Sequence, residues 1–402
     1  MNSKKISIDL KTLYIASFGA LACFLPFLTY YFQSVGLSYT QIGIAFAVYS
    51  ITGVLTQPIW GFITDKYLNK RLTIIITMVA SSVAIYSLIF AKTFPFIIFS
   101  MILFLIFQSS IIPVTDAYTY EIIEKHTDIQ YGRIRLMGSL GYAVLALVCG
   151  IIIKNAGISS AFILYSVMVL FGALIIYKMN FKGKSSTRRA DLGDISKVLK
   201  DKRFIILMLS IFIANISLGS NTSYISLLIQ ATGGDVSVIG LLGFTLAASE
   251  VPVLFIGKKL LKKHGELNIY ATGMFFFAVR YFLDSISTSY VTVILIQTMQ
   301  AVTYSLFLIS TLEYICRITP AKIRTSALTF YTAVCGSGAF LGNIGGGILL
   351  EHINIFGLYK IIALICLAST AVILVLKNID KSYVVEKSIK SEVSELNLNL
   401  ID

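Results

Sequence analysis

Long apolar stretches alternate with short polar ones from the N-terminus to about residue 377. A helix needs about 20 consecutive, mostly apolar residues to cross a bilayer. Twelve stretches meet that requirement, near residues 12–33, 40–64, 72–91, 95–118, 132–154, 158–179, 204–229, 236–257, 267–286, 289–313, 325–350 and 356–377. The pattern therefore predicts an all-α membrane protein with twelve transmembrane helices.

One connection between these stretches is much longer than the others and divides the helices into two sets of six. We expect an N-terminal half at 1–179, a linker at 180–203, a C-terminal half at 204–377 and a polar tail at 378–402. Each half has a basic loop after its second helix, at 61–71 and at 257–265. Two such halves are the layout of a transporter built from parallel repeats, with its substrate site between them near mid-membrane.

Composition supports a membrane protein, since 56% of the residues are hydrophobic and only 13% are charged. Soluble domains have about 25% charged residues, whereas helices in a bilayer keep an apolar outer face. The five cysteines have no metal-ligand spacing, and we interpret them as small apolar fillers. No phosphate-binding loop, zinc-protease motif or histidine cluster is present, so we expect neither an enzyme nor a metal site.

The chain has a net charge of +13, and its lysines and arginines are unequally divided between the two predicted sides of the membrane. Most lysines and arginines lie at helix ends on the side of both termini, and Lys92, Lys154 and Lys360 lie on the opposite side. Because cytoplasmic loops are enriched in Lys and Arg, both termini are predicted to be cytoplasmic. The charge then indicates orientation in the plasma membrane and attraction to anionic headgroups, not a nucleic-acid partner.

A few charges fall inside the apolar stretches, where each costs about 2.5–3.5 kcal/mol. Asp116 ends the fourth stretch and Arg135 begins the fifth, so two antiparallel helices place them at similar depth. They form either a pair that binds substrate or responds to protonation, or an interfacial arginine beside a helix-end carboxylate.

Glu250 lies within another apolar stretch, beside Pro252, which favours a kink in the helix. It is either a proton or cation site, or a neutral acid bonded to a neighbouring helix.

Arg280 precedes Asp284 by one helical turn, so the two can pair along one face. The pair either neutralises itself or presents Arg280 to an anionic substrate or to Glu250. Amides and tyrosines within the helices are candidates for binding a solute, although helix–helix hydrogen bonds and interface anchoring are alternatives. Two charged clusters at the predicted cytoplasmic side have a gating or structural interpretation: Asp65 with Lys66, Lys70 and Arg71, and Glu313 with Arg317 and Arg324.

The residues Gly61-Phe-Ile-Thr-Asp-Lys-Tyr-Leu-Asn-Lys-Arg71 resemble the loop motif between helices 2 and 3 of the major facilitator superfamily. Four other segments resemble its phenylpropionate-permease and lactose-permease-like group: 24–28, 113–117, 131–141 and 278–281. The resemblance covers nearly the whole chain up to about 377. It implies the major facilitator fold and secondary active uptake, commonly proton symport, by alternating access.

The resemblance also implies roles for the intramembrane charges. Arg135 matches the helix 5 arginine that binds sugar in lactose permease, and Asp116 falls close to the helix 4 glutamate that pairs with it. Arg280 matches the helix 9 arginine of the proton-coupling network. Glu250 matches a helix 8 acid of the phenylpropionate-type members.

The chain departs from this group in helix 10. Gln300 stands where the group often has His, and Thr303 stands where lactose permease has its proton-carrying Glu. The coupling scheme of lactose permease therefore does not transfer. A coupled proton must be carried here by Glu250 or Asp116, or by Glu313 if that residue is accessible.

These observations predict a monomeric, proton-coupled importer of a small organic solute such as a sugar, an aromatic acid or a nucleoside, with no cofactor beyond the proton gradient. Export driven by protons and uncoupled facilitation are the alternatives. The predicted substrate-binding residues are Arg135, Asp116, Arg280, Tyr118, Tyr142, Gln300, Tyr304 and Asn221. The predicted proton carriers are Glu250 and Asp116, and the predicted gating residues are Asp65, Lys66, Arg71, Glu313 and Arg324.

Overall fold

The computed structural model describes residues 3–126, 129–179, 201–320 and 323–398, and every long element in this part of the chain is a helix. Twelve long helical segments, α1–α12, follow in order: Ser3–Ser34, Tyr39–Lys66, Lys70–Phe90, Phe94–Lys125, Tyr131–Ala156, Ser159–Lys178, Lys202–Ala231, Val236–His264, Glu266–Ser285, Tyr290–Ile318, Arg324–Leu350 and Ile355–Leu398. The predicted all-α architecture is confirmed.

Eleven of the described segments contain a stretch long and apolar enough to cross a membrane. The twelfth, α9, has 20 residues but carries the charges of Arg280 and Asp284, which lower its hydropathy. Large apolar side chains such as Phe90, Phe99 and Leu174 are more than half exposed on the outside of the bundle. Such an outer face suits contact with lipid.

Most predicted helix bounds agree with the structure to within a few residues, and the two chain ends differ most. α1 begins at Ser3 rather than near residue 12. α12 continues to Leu398, so residues predicted as a tail from 378 are helical. The predicted linker falls mostly outside the described residues, and α7 begins at Lys202 within its last part.

Two segments are interrupted by short 3₁₀ turns. In α1 the turn covers Leu25–Phe27 and contains Pro26, which cannot donate a helical hydrogen bond. In α10 the turn covers Thr298–Ala301, between the helices Tyr290–Gln297 and Tyr304–Ile318. Both breaks lie at the depth of the cavity described below, and they change the direction in which the neighbouring side chains point.

The two halves, α1–α6 and α7–α12, pack against each other mainly through α5 with α8 and α2 with α11. We name the end of the bundle that carries Lys66, Lys70 and Lys125 the basic face, and the other end the opposite face. Near the opposite face, Gly150 and Gly240 let α5 and α8 touch, because a Cβ on Gly240 would lie 2.5 Å from the Ala146 carbonyl oxygen.

Hydrogen bonds between the halves also lie towards the opposite face. The Thr29 hydroxyl donates to the Ser223 carbonyl at 2.5 Å, and the Ser226 hydroxyl donates to the Pro26 carbonyl at 3.1 Å. At the helix ends, the Gln230 amide donates to Gln33 at 2.7 Å. An ion pair joins Lys154 to Asp235 at 2.7 Å, and the Thr40 N–H donates to Glu351 at 3.0 Å. The structure is thus closed at the opposite face.

Candidate functional site

A cavity of about 280 Å³ lies between the halves at the depth of both helix breaks. Leu25, Pro26 and Tyr142 line it from the first half, and residues of α7–α10 line it from the second. We call it the central cavity. Five of the eight predicted substrate-binding residues line it: Tyr142, Asn221, Arg280, Gln300 and Tyr304.

Arg280 is the charged residue in this lining and is only 1% exposed. One guanidinium nitrogen donates to Gln300 Oε1 at 2.5 Å and to Thr303 Oγ1 at 3.1 Å. The other terminal nitrogen donates to Gln297 Oε1. A buried arginine needs such partners, because an unpaired buried charge costs several kcal/mol.

The predicted pairing of Arg280 with Asp284 is indirect. Gln297 stands between them, since its amide oxygen accepts from Arg280 while its nitrogen donates to both Asp284 oxygens at 3.1 and 3.0 Å. Asp284 and Gln297 are fully buried. The acid therefore neutralises the arginine through one intervening amide.

Gln300 makes the matching link on the other side of Arg280. Its amide oxygen accepts from the arginine, and its nitrogen donates to Glu250 Oε1 at 2.8 Å. A continuous chain thus runs from Asp284 through Gln297, Arg280 and Gln300 to Glu250. We call these five residues the relay chain. In this chain, Gln300 at the wall of the central cavity connects Arg280 to Glu250, the two charges predicted to be functional.

The break in α10 makes this chain possible. Gln297 ends the first helix of α10, Gln300 lies in the 3₁₀ turn, and Thr303 precedes the second helix. In an unbroken helix, residues three apart point in directions that differ by about 60°. The tighter turn brings both glutamines and the threonine onto the same guanidinium.

The structure describes both Asp116 and Arg135, and the two side chains do not form an ion pair. The Asp116 carboxylate instead accepts hydrogen bonds from the hydroxyls of Tyr14 on α1 and Tyr131 on α5, the latter at 3.1 Å. The ring of Tyr131 in turn stacks on Tyr120 at 4.4 Å. The predicted ion pair is wrong for this conformation, because two tyrosines supply the donors that the acid needs.

Arg135 places its guanidinium 4.0 Å from the centre of the Phe18 ring, a cation–π contact between α5 and α1. Gly138 allows this contact, since a Cβ there would lie 2.7 Å from Phe18 Cδ2. Arg135 also interacts electrostatically with Glu250 and Tyr304 of the other half. The guanidinium therefore lies against α1 rather than beside Asp116 of α4.

Tyr118 and Asn221 have different surroundings. Tyr118 is buried in the first half, within electrostatic range of Arg71 and Glu121, and does not line the central cavity. Asn221 does line it, and its Oδ1 accepts from the Tyr359 hydroxyl at 2.8 Å. That bond leaves the Asn221 amide nitrogen as a donor at the cavity wall.

The predicted gating residues of the first half make contacts within that half. Arg71 donates to the carbonyls of Ile176 and Tyr177 at the end of α6. Lys66 lies over the ring of Phe62, 5.2 Å from its centre. Asp65 is exposed at the end of α2. Their gating role stays a prediction.

The predicted cluster around Glu313 is not formed. Glu313 is exposed and makes no ion pair with Arg317 or Arg324. Arg317 instead pairs with Asp380 at 2.8 Å and with Glu266 at 3.3 Å, and Arg324 donates to a carbonyl at the end of α10. The sequence offered no signal for Asp380, because it lies in the segment predicted as a tail.

Comparison with known proteins identifies the family. The model of the MFS_1-like family matches residues 7–361. The chain belongs to this family of major facilitator transporters. The superfamily predicted from the loop motif is therefore confirmed, and the chain is a transporter rather than an enzyme.

Two transporter sequences and one solved transporter structure are similar to this chain over most of its length. An uncharacterised transporter of Bacillus subtilis strain 168, YwbF, is 27% identical over 382 residues, covering 93% of this chain and 94% of that one. The maltose permease of Geobacillus stearothermophilus is 25% identical over 378 residues, covering 93% and 95%. The crystal structure of the nucleoside transporter NupG superposes with a TM-score of 0.82 at 15% identity, covering 94% and 99%. The last likeness shows the shared fold.

Gln297, Tyr14 and Tyr131 are the site residues of this transporter that sequence reasoning missed. Gln297 was one of several intrahelical amides, and nothing in the pattern separated it from the others. Tyr14 reaches Asp116 across 102 residues of sequence. Gln297 lies 17 residues from Arg280 and 13 from Asp284 along the chain, so spacing gave no signal for it, and the 3₁₀ turn that follows it was not predicted.

Proposed function

We propose that this transporter is a proton-coupled symporter that imports a small organic solute through the central cavity. The observation that carries the proposal is the relay chain, which joins a carboxylate, Glu250, to the buried cation Arg280 at the cavity wall. A membrane-embedded acid beside a ligand cavity is a suitable site for a coupling proton.

Glu250 acts between the two halves in this scheme. Ionised Glu250 of α8 attracts Arg135 of α5, in the other half, as well as Arg280 of its own half. Protonation removes the attraction across the halves and leaves the Gln300 hydrogen bond as a local tether. Protonation thereby favours a different arrangement of the halves, which is what coupling requires.

The proposed substrates are neutral or weakly acidic solutes of the sugar, nucleoside or aromatic-acid type. Tyrosine rings and amides line the central cavity, and these groups stack on rings and bond hydroxyls. Relatives named as a maltose permease and a nucleoside transporter support this range. Arg280 is the cation in the cavity lining, and its Nε has no hydrogen-bond partner among the described residues, so it is the group placed to meet an anionic substituent.

The basic face is cytoplasmic in this proposal, because Lys and Arg mark the inner side of membrane proteins. With this orientation, the structure, closed at the opposite face, corresponds to an inward-facing state in the plasma membrane. Closing the inner side would bring the exposed Asp65, Lys66 and Glu313 towards the other half, where they would act as a gate.

The test is uptake by the purified protein in proteoliposomes with an imposed pH gradient. Maltose, uridine and 3-phenylpropionate are offered as radiolabelled solutes. We expect an outside-acid gradient to concentrate at least one of them. The Glu250→Gln variant should keep counterflow but lose gradient-driven accumulation, because the substituted amide cannot bind and release a proton.

The matched control is Glu124→Gln, which neutralises an exposed acid at the end of α4, outside the relay chain and the proposed gate, and should accumulate solute normally. Accumulation driven by an inside-acid gradient would indicate an exporter. Undiminished accumulation in Glu250→Gln would remove the coupling role of Glu250 and favour an uncoupled facilitator or another carrier such as Asp116.

A further inference from the structure

A second cavity, of about 460 Å³, lies between the halves nearer the basic face. Leu21 of α1 and Asn215 of α7 line it, whereas Leu25 and Leu218 of the same helices line the central cavity. With a rise of 1.5 Å per residue, each helix places the second cavity about one turn closer to the basic face. The other walls are α2, α4 and α11, which the central cavity does not use.

Three amides line this second cavity, and their hydrogen bonding is incomplete. Gln108 is only 8% exposed and makes no hydrogen bond to any described residue. Asn215 is 9% exposed; its nitrogen donates to the Ile211 carbonyl at 2.8 Å, and its oxygen accepts no bond in the described part of the chain. A buried amide without partners is costly, so these groups are suited to a ligand.

Two helix prolines add acceptors at the same place. Pro58 of α2 and Pro113 of α4 cannot donate to the carbonyls four residues earlier, which belong to Val54 and Ser109. Both of those residues line the second cavity. The Ser109 carbonyl has only a long contact from the Gln57 amide, at 3.4 Å.

We propose that the second cavity is a separate solute subsite that binds neutral, hydroxyl-bearing groups on the path between the central cavity and the basic face. The residues that line it carry amides, hydroxyls and carbonyls and no ionisable acid or base other than a tyrosine and a cysteine. Hydroxyl groups both donate and accept, so they match free amides and spare carbonyls. An anionic group finds no cation here, so this subsite selects against it.

The inference rests on the proposed transport function, but it makes a separate claim about binding. A solute in the central cavity would meet Tyr142, Tyr304 and the relay chain. The same solute at the second cavity would meet Gln57, Gln108 and Asn215. The second site therefore discriminates by hydroxyl content, independently of protonation at Glu250.

A native thiol reports on occupancy. Cys335 lines the second cavity, is partly exposed, and accepts a 3.4 Å contact from Asn215. Cys23, Cys149 and Cys366 are buried, and the partly exposed Cys316 lies at the end of α10 near the basic face. Alkylation of Cys335 can thus be compared with that of Cys316 in the same molecule by peptide mass spectrometry.

The experiment treats the full-length protein in detergent with N-ethylmaleimide, with and without millimolar maltose, uridine or 3-phenylpropionate. We expect maltose or uridine to slow alkylation of Cys335 by about fivefold or more, with Cys316 unchanged and no protection by 3-phenylpropionate. In Gln108→Met the protecting concentration should rise about fivefold to thirtyfold, as for the loss of one or two hydrogen bonds. The control Gln130→Met, at the exposed start of α5, should behave as the wild type.

Equal alkylation of Cys335 with and without both hydroxylated solutes would overturn the proposal. So would equal protection in Gln108→Met and the wild type, which would attribute protection to closure of the halves. Protection by sodium chloride alone would mean a cation site instead. Because the assay needs no gradient, protection without proton-driven uptake contradicts only the proposed function, and uptake without protection contradicts only this subsite.

Discussion

Gln297 lies between Arg280 and Asp284, two buried charged residues whose sequence spacing predicts a direct ion pair. Its amide has an oxygen that accepts from Arg280 and a nitrogen that donates to Asp284. A carboxylate or a lysine at this position supplies only one of those functions. The glutamine therefore satisfies both charges at once, and both are almost completely excluded from solvent.

Replacing Gln297 by Leu should destabilise the protein more than replacing Gln300 by Leu. The first change removes the partner of fully buried Asp284, and breaking such an arrangement costs about 3–5 kcal/mol. The second leaves Arg280 with Gln297 and Thr303, and leaves Glu250 partly exposed. The measurement is the unfolding temperature of the purified variants in detergent. Equal losses of stability in the two variants would contradict the argument.

The charged residues of the site could be found from the sequence, but their partners could not. Arg280 and Glu250 stand out because a charge within an apolar stretch is costly. The partners of Asp116 are Tyr14 and Tyr131, from two other helices. A tyrosine in a membrane helix has many roles, so only the packing of α1 against α4 and α5 identifies these two.

At the scale of helices, the glycines of α11 form its contact with α7. A Cβ on Gly338 would lie 2.5 Å from the Phe212 carbonyl oxygen, and one on Gly342 would lie 2.0 Å from that of Ile216. At Gly345, on the same helix, no atom of the other described elements lies within 4 Å of the Cβ position. Close approach of this kind is how small residues pack membrane helices.

Gly342→Ala should therefore destabilise the transporter, whereas Gly345→Ala should not. Inserting a methyl group into a backbone contact of this kind costs about 1–3 kcal/mol, because the helices must separate. In an open position alanine favours a helix over glycine by up to about 1 kcal/mol. Unfolding temperature and the monodisperse fraction after size-exclusion chromatography measure the effect. A Gly342→Ala variant as stable as Gly345→Ala would be inconsistent with the packing seen here.

Hydropathy predicted the helices well because each must present about 20 apolar residues to lipid. It could not predict the 3₁₀ turn at Thr298–Ala301, because that turn places Gln300 where it accepts a hydrogen bond from Arg280, a buried residue on another helix. It also ended α12 near residue 377, although the helix continues and Asp380 pairs with Arg317. Charged residues beyond a membrane span carry no apolar signal, so a helical extension there is invisible to the pattern.

At the scale of the whole molecule, the two halves are held together at the opposite face by contacts of two kinds. Gly150 and Gly240 bring α5 and α8 into backbone contact. Beyond this contact, Lys154 at the end of α5 pairs with Asp235 at the start of α8. In the proposed transport cycle both kinds of contact must separate, so we expect the exposed ion pair to bias the equilibrium between the two states.

Asp235 also caps α8, because its carboxylate accepts from the N–H groups of Ser237 and Val238. Its hydrogen bond with Lys154, helped by the Ser237 hydroxyl, lowers the pKa of Asp235 to about 2. An acid whose pKa is lowered in one state stabilises that state above its ordinary pKa, about 3.9. The stabilisation is lost only as the pH falls from about 4 towards 2. The pair is therefore intact at pH 5–8.

Asp235→Asn keeps the helix cap but removes the charge, so it should raise the population open at the opposite face. The shift should be less than about tenfold, since exposed ion pairs are weak. Spin labels on Cys at the exposed positions Ser159 and Thr288, in a background with Cys316 and Cys335 replaced by Ser, report the separation by pulsed electron resonance. Lys154→Gln should give a similar shift.

The difference between Asp235→Asn and wild type should be the same at pH 5.5 and pH 8, because Asp235 stays ionised across that range. The pH dependence of solute uptake should also survive in Asp235→Asn, since the proposed coupling acid is Glu250 within the membrane. A difference that disappears on acidification to pH 5.5 would mean that the Lys154–Asp235 pair itself titrates. The proton response would then belong to the opposite face rather than to the relay chain.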